Sequence, residues 1–352
     1  MRTVHIDASA SYDILIGKGI LSLLGEKAPA FSKVRAVTLV SDDNVYPLYG
    51  EAAAESLQQA GLAVHPFVFP HGEQSKSLTT YGRLLEFMDS CHMTRSDLIV
   101  ALGGGVTGDL AGFAAATFQR GIRYIQVPTS LLAMVDSSVG GKTAIDLSGS
   151  KNQVGAFWQP ALVLCDTAVL ATLPEEEYRC GCAEIIKYGV LGNRQFFDSV
   201  SRIPIKEQYE EVIETCVTMK RQVVEADEFD RGERMKLNLG HTIGHAAEGL
   251  SGFQILHGQA VAMGMAAVMR IAVAQGVCDP GALQELLQVL QKYGLPAEIP
   301  YTADQMLQLM LTDKKMAAGS LNVILPEAIG SCRIGSVAAE DLKDWLALGG
   351  IL

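Results

Sequence analysis

Apolar and polar positions follow two textures along this chain. Up to about residue 170, short apolar runs of strand length alternate with stretches of helical spacing. Residues 4–6 and 12–16 alternate like a small hairpin, and residues 19–27 read as a helix. Strands are then predicted at 36–40, 63–69, 98–102, 124–127 and 162–165, with helices at 47–60, 81–92 and 109–118. Strands alternating with helices imply a parallel, doubly wound sheet. Beyond Asp166 almost every segment has helical period: 175–187, 207–228, 241–250, 258–275, 280–293, 303–312 and 340–347. The exception is a short hairpin at 321–325 and 331–334. The pattern predicts an α/β N-terminal domain with a Rossmann-like parallel sheet over residues 1–170. A mainly α-helical C-terminal domain follows over 171–352.

One stretch, 98–157, gathers small residues, hydroxyls, lysines and an aspartate into loops between strands. The apolar run at 98–102 leads into Gly103-Gly104-Gly105-Val106-Thr107-Gly108-Asp109. A strand, a glycine turn and a helix start expose backbone N–H groups and a positive dipole end to a phosphate or pyrophosphate. Gly103, Gly105 and Gly108 spell G-x-G-x-x-G, but no acid stands about 20 residues downstream for the ribose hydroxyls. The same glycines also suit a tight turn that needs φ > 0 or close packing. An acid upstream is better placed: the apolar run at 37–40 ends in Ser41-Asp42-Asp43-Asn44. Asp42 there suits a ribose 2′-OH, and it suits an Asx turn equally well.

Length and charge narrow the class. The chain has 352 residues, 49 % hydrophobic and 19 % charged, which supplies core for two domains. A net charge of −11 argues against nucleic acid as a partner. Seven scattered cysteines form no disulfide or zinc-ribbon framework, which fits a reducing, cytoplasmic setting. The longest apolar run, 260–274, is broken by Arg270 and reads as a buried helix rather than a membrane span.

Of seven histidines, three fall within 17 residues: His241, His245 and His257. His241 and His245 are i, i+4 on one helix face, and Glu184 lies on another predicted helix. Two imidazoles and a carboxylate with an open fourth position make a catalytic zinc arrangement. Spacing leaves open which two histidines ligate and which orients them. Lys142 and Lys151 lie in the Gly/Ser-rich loop beside the nucleotide stretch, where lysines suit an anionic substrate, a carboxylate or phosphate.

These motifs resemble the 3-dehydroquinate synthases. The resemblance rests on Gly103–Asp109, Gln119-Arg120-Gly121, Pro128-Thr129-Ser130-Leu131-Leu132-Ala133 and the run from Val135 to Lys142. It continues through Lys151-Asn152, Ala183-Glu184-Ile185-Ile186-Lys187, the run from Leu237 to His245, Leu256-His257-Gly258 and Asp313-Lys314-Lys315. The motifs come in the family's order and cover nearly the whole chain. What the resemblance implies is a phosphate-eliminating lyase of the shikimate pathway. Such an enzyme turns 3-deoxy-D-arabino-heptulosonate 7-phosphate into 3-dehydroquinate, with catalytic NAD⁺ and a zinc or cobalt ion.

By the family pattern the metal ligands are Glu184, His241 and His257, with His245 behind a ligand or on substrate. Substrate would be held by Lys142, Lys151, Asn152, Lys187, Lys220, Arg234, Asn238, Asp136 and one or both of Lys314 and Lys315. Arg120 matches an arginine that reaches the partner subunit's site, which implies a homodimer. For NAD the pattern points to Asp42 and Asn44 at the adenosine ribose and Glu73 and Lys76 near the adenosine. Gly104, Gly105, Val106, Asp109, Thr129 and Ser130 fall at the pyrophosphate and nicotinamide ribose, with Lys142 and Lys151 beside them. Two departures stand out: Ser150 where the family often has glycine, and Asp146 where asparagine is common. The nearest rivals are another sugar-phosphate cyclase, such as a 2-deoxy-scyllo-inosose synthase, and a metal-dependent polyol dehydrogenase. Asn238, His245 and the Lys151-Asn152 pair favour the dehydroquinate pattern.

Overall fold

A computed structural model describes residues 1–352 except 32, 149, 253, 312–315 and 318; residues 316 and 317 are described as backbone only. The chain divides into two compact units. One comprises Met1–Pro174 and Tyr209–Phe229, the other Glu175–Gln208 and Asp230–Leu352.

The first unit is built on a seven-stranded sheet. Its strands are β1 (Arg2–Ile6), β2 (Tyr12–Gly17), β3 (Ala36–Asp42), β4 (Ala63–Phe69), β5 (Leu98–Gly103), β6 (Arg123–Pro128) and, after a separate hairpin of β7 (Lys142–Leu147) and β8 (Ser150–Phe157), β9 (Leu162–Asp166). The order is β1-β2-β9-β6-β5-β3-β4. Only β1 and β2 pair antiparallel; every other neighbour is parallel. The expected N-terminal hairpin exists but is not separate, because β2 pairs with β9 and extends the parallel sheet.

Alternation explains the layers. Ile99 and Ala101 of β5 join a core with Leu84, Met88, Leu110 and Ala114, from the helices Leu78–Ser90 and Gly105–Thr117. Leu98, Val100 and Leu102 face the other way and join Ala53 and Leu57 of the helix Glu51–Gln59. A strand buried on both faces is a near-continuous apolar run, as β5 is.

A buried carboxylate ties the entry to β3. Asp97, 2 % exposed, accepts bonds from the backbone N–H of Arg35, Ala36 and Thr94 and from the Thr94 hydroxyl, at 2.7–3.1 Å. Burial alone would raise its pKa, but these four donors outweigh it and hold the group below the ordinary value. A depressed folded-state pKa stabilises the fold above the unfolded value and loses that contribution as pH falls through the folded one. Asp97→Ala therefore destabilises the chain by about 3 kcal/mol at neutral pH, and the difference from wild type shrinks in acid. Urea unfolding at both pH values checks this.

The stretch 142–157 does not stay a loop, as its Gly/Ser content suggested. β7 and β8 form an antiparallel hairpin in which Gly155 lies so close to Thr143 that any Cβ would overlap the Thr143 carbonyl. The helix Tyr209–Ala226, placed by its period in the 171–352 domain, packs with the first unit. Its charges explain why: Glu214 pairs with Arg2, Glu225 accepts from the Asp7 N–H, and Glu228, just past the helix, accepts from Ser9.

The second unit carries the helices Glu175–Gly192, Arg194–Arg202, His241–Leu250, His257–Ala274, Pro280–Lys292, Ala303–Leu311 and Leu342–Leu348. It also holds a small antiparallel sheet, β10 (Met316–Ala317), β11 (Ser320–Ala328) and β12 (Ser331–Ala338). Periodicity missed Arg194–Arg202, which is one short helix capped by the Asn193 side chain at the Phe196 N–H. Among the described residues, His257–Ala274 is the one helix long and apolar enough to cross a membrane. It is 72 % buried within the protein and acts as a core helix.

Candidate active site

In the first unit the nucleotide stretch takes shape at the ends of β5 and β6. Gly103 has negative φ, and a Cβ there would overlap the Thr107 side chain. The close-packing reason for this glycine therefore applies. The helix Gly105–Thr117 starts at Gly104 with no side-chain cap, so its first-turn N–H groups stay available to an anion. Thr129 donates its N–H to the Gly103 carbonyl at 2.9 Å, and the Ser130 hydroxyl accepts from Ala133 N–H at 3.2 Å. A Cβ on Gly104 would stand 3.5 Å from that hydroxyl. Half-buried Val106 follows in the first turn. These features form a bare-backbone cradle of the type a dinucleotide pyrophosphate fills. Asp42 uses Oδ1 on the N–H groups of Asn44 and Val45, both at 2.9 Å, so the Asx turn is real. Its Oδ2 faces the Thr107 hydroxyl at 3.5 Å.

A charge network holds the hairpin to this cradle. Buried Lys76 stands 2.5 Å from Asp109 Oδ2 and donates to Asn152 Oδ1 at 2.5 Å. Glu73 Oε1 lies 3.8 Å from both the Lys76 and Lys151 ammoniums. Burial would lower the Lys76 pKa, but Asp109 and Glu73 outweigh it and raise it. Burial raises Asp109 despite Lys76, and burial with Asp146 raises Glu73 despite both lysines. Asp146, flagged only as a departure from the family pattern, turns out to be structural. It accepts from the Asn152 N–H at 2.7 Å, which helps hold Asn152 at its φ of 56°. Lys142 is exposed at the start of β7.

Two further residues 84 positions apart meet in the same unit. Lys220 Nζ stands 3.0 Å from Asp136 Oδ1 and donates to the Asp136 carbonyl at 2.7 Å. Arg120 is exposed, in a turn where it and Gln119 take φ of 63° and 52°.

In the second unit Glu184 is fully buried. Its Oε1 lies 3.4 Å from His241 Nε2 and 3.2 Å from His257 Nε2. Zinc bonds of about 2.0–2.1 Å put tetrahedral donors about 3.3 Å apart, so these separations fit an ion among the three. The His241 Nδ1 is 3.1 Å from the Leu239 carbonyl, which takes that N–H and directs the Nε2 lone pair at the site. Lys187, 1 % exposed, stands 2.5 Å from Glu184 Oε2. Burial would raise the Glu184 pKa, but Lys187 and His241 outweigh it and hold it well below the usual range. Burial opposes a charged His257 ring, but Glu184 and Glu248 flank it and push it up to about 9.

Glu248 went unread in the sequence. It is buried on the helix His241–Leu250, with Oε2 3.7 Å from His257 Nδ1. The signal was present: Glu248 is three residues after His245 and shares its helix face. His245 is exposed, its ring 5.9 Å from that of His257. Arg234 is buried in the turn Glu233–Asn238, which ends on half-buried Asn238. Lys314 and Lys315 lie outside the described residues.

Glycines set the spacing of the two histidine-bearing helices. A Cβ on Gly264 would overlap the Gly240 carbonyl, and one on Gly244 would stand 2.6 Å from the Ala260 carbonyl. Gly264→Ala forces the helices apart, and overpacking of this kind costs about 1–3 kcal/mol. The expected result is zinc affinity at least about tenfold weaker, read by competition with a chromophoric chelator.

The sequence model of the 3-dehydroquinate synthase N-terminal region matches residues 66–180, and that of the C-terminal region matches 181–316. A 3-dehydroquinate synthase from Streptococcus gordonii is 42 % identical over 342 residues, 95 % of this chain and 96 % of that protein. Among solved structures, a 2-deoxy-scyllo-inosose synthase complexed with carbaglucose-6-phosphate, NAD⁺ and Co²⁺ superposes with a TM-score of 0.88. It has 28 % identity and covers 98 % of this chain and 99 % of its own. A 2-epi-5-epi-valiolone synthase from Streptomyces hygroscopicus with NAD⁺ and Zn²⁺ bound gives 0.88 at 26 % identity, covering 99 % of both chains. With both halves matched and near-full-length identity above 40 %, the chain belongs to the 3-dehydroquinate synthase family.

Proposed function

We infer that the chain converts 3-deoxy-D-arabino-heptulosonate 7-phosphate into 3-dehydroquinate and inorganic phosphate, a carbon–oxygen lyase reaction of aromatic amino-acid biosynthesis. The observation that carries this is the 42 % identity to a 3-dehydroquinate synthase over 95 % of the chain. It exceeds the 28 % and 26 % to the cyclases with other products.

When bound, NAD⁺ would supply reversible hydride acceptance at the substrate's C5 carbinol, and zinc or cobalt would supply a Lewis acid there. The chain's own groups hold and position. Glu184, His241 and His257 would hold the metal, with Glu248 and the Leu239 carbonyl orienting the two rings. Gly104, Gly105, Val106, Thr129 and Ser130 cradle the pyrophosphate, and Asp109 stands at the nicotinamide ribose. Asp42, Asn44, Glu73 and Lys76 hold the adenosine end. Lys142, Lys151, Asn152, Lys187, Arg234 and Asn238 bind the substrate's carboxylate, phosphate and hydroxyls, together with one or both of Lys314 and Lys315. Asp136, held by Lys220, takes substrate hydroxyls, and His245 sits at the substrate's edge. Charged donors fixed before substrate arrives stabilise the developing charge of phosphate departure without reorganising. Much of the proton movement falls to the leaving phosphate itself. Arg120 serves the site of a partner subunit in a homodimer, and the enzyme works in the cytoplasm.

Phosphate release from 3-deoxy-D-arabino-heptulosonate 7-phosphate tests this, with NAD⁺ in catalytic amount. Many turnovers per NAD⁺, lost on chelation and restored by zinc, are expected. Release from sedoheptulose 7-phosphate or glucose 6-phosphate instead overturns the assignment in favour of a sister cyclase.

A further inference from the structure

Trp158, just past β8, joins two turns of the first unit. The first turn runs through Gln119, Arg120 and Gly121, with φ of 52°, 63° and 118°. Left-handed backbone at two successive non-glycine residues is costly and persists only where the surroundings fix it. The second turn runs through Gly140 and Gly141, with φ of 91° and 66°, into Lys142. The indole grips the first turn. A Cβ on Gly121 would stand 2.5 Å from Trp158 Cη2, so the ring lies directly against bare backbone there. The indole Nε1–H donates to the Ile122 carbonyl at 2.9 Å. The Trp158 backbone grips the second turn, its N–H donating to the Gly141 carbonyl at 2.7 Å. Its own carbonyl accepts from the Tyr124 hydroxyl at 3.0 Å, and that hydroxyl accepts from Gln126 Nε2 at 3.1 Å. Ring and backbone are each fixed at two points, and half-buried Trp158 also packs against the core.

We propose that Trp158 is a positioning residue that locks the Arg120 turn to the Lys142 turn, so that the two cations leave the fold in one fixed geometry. This rests on the roles read above for Arg120 and Lys142 in the proposed reaction. Both side chains are exposed and long, with much rotamer freedom, so their aim as anion binders depends on the backbone that carries them. A misplacement of about 1 Å by a residue away from the chemistry costs up to about 100-fold in rate. Lys142 serves its own subunit's site and Arg120 that of the partner. Trp158 therefore ties the cation a subunit keeps to the cation it lends.

The test is hydrogen exchange of the whole enzyme read by mass spectrometry, alongside steady-state phosphate release. Trp158→Phe removes the indole N–H and the ring atoms nearest Gly121. Exchange at 119–122 and 140–143 is expected to rise by at least about tenfold, with β3 unchanged. Gly121→Ala displaces the same ring from its other side. It should raise exchange at 140–143, in a turn it does not touch, and should cease to do so once Trp158 is phenylalanine. In Trp158→Phe, kcat should fall about 10–100-fold. That penalty should shrink by at least about threefold where Arg120 is already alanine, because residues acting as a unit are not additive. A general structural defect would multiply unchanged in both backgrounds. Circular dichroism checks that the variants fold. Unchanged exchange at 140–143 in both variants overturns the proposal. Raised exchange with wild-type kcat overturns the positioning role, and so does an undiminished penalty in the Arg120→Ala background. A wild type that releases no phosphate from 3-deoxy-D-arabino-heptulosonate 7-phosphate would refute the proposed reaction instead, while the exchange data still decide whether Trp158 couples the turns.

Discussion

His257→Ala is expected to retain no zinc through dialysis under conditions where wild type keeps one ion per chain. His257 Nε2 and His241 Nε2 converge on Glu184 Oε1 at 3.2 and 3.4 Å, and a zinc site with only two protein ligands left is no longer a catalytic-type site. Loss of an outer partner weakens metal affinity about 10–100-fold. Removing a ligand itself is expected to exceed that, so more than about 100-fold. Glu248→Gln provides the comparison, because it leaves all three ligands and disturbs only the carboxylate at His257 Nδ1. It should fall within the smaller range. In His257→Ala, Glu184 keeps Lys187 at 2.5 Å, so this buried carboxylate retains its cationic partner. Elemental analysis with circular dichroism separates metal loss from unfolding. Stoichiometric zinc in the variant would show the ligand set to be wrong.

Lys151→Ala keeps NAD⁺ affinity within about threefold and loses turnover by at least about 100-fold, the scale of removing one preorganised charged donor. Lys151 is 28 % exposed and stands 3.8 Å from Glu73, a long ion pair that contributes little to stability. Glu73 retains Lys76 as a cationic neighbour, and Lys76 retains Asp109 and Asn152, so the cofactor side of the network persists. The change therefore falls on substrate. Calorimetry with NAD⁺ and steady-state phosphate release report the two halves separately. A large loss of NAD⁺ binding with substrate affinity intact would move Lys151 to the cofactor site.

Local pattern was enough for much of this protein. Residues 98–102 read as a strand because a run buried on both sheet faces is apolar throughout, as β5 is. β4 lies where 63–69 predicted a strand although, at the sheet edge, it buries only Phe67 and Phe69. His241 and His245 share a helix face by spacing alone, and helix His241–Leu250 has the bounds its period predicts. The motif order pointed to the family. Other features were not legible. The β7–β8 hairpin hides in a Gly/Ser-rich stretch because its pairing, not its side-chain burial, makes it a strand pair. Helix Tyr209–Ala226 shows its period but not its partners, since Arg2 and Asp136 lie far away in the chain. Glu248 looks like any helical glutamate until the next helix brings His257 beside it.

The alternation of elements, the glycine turn before a helix, and the side chains with metal-binding and anion-binding chemistry are all legible in the primary structure. These are properties of neighbours within a few residues, where helix and strand periods act. Which groups meet is a matter of three-dimensional packing. It put Glu184 between His241 and His257, Lys76 between Asp109 and Asn152, and Lys220 against Asp136. Such pairings depend on how buried faces and glycine contacts pack across long separations, and a one-dimensional pattern carries no distance information about them.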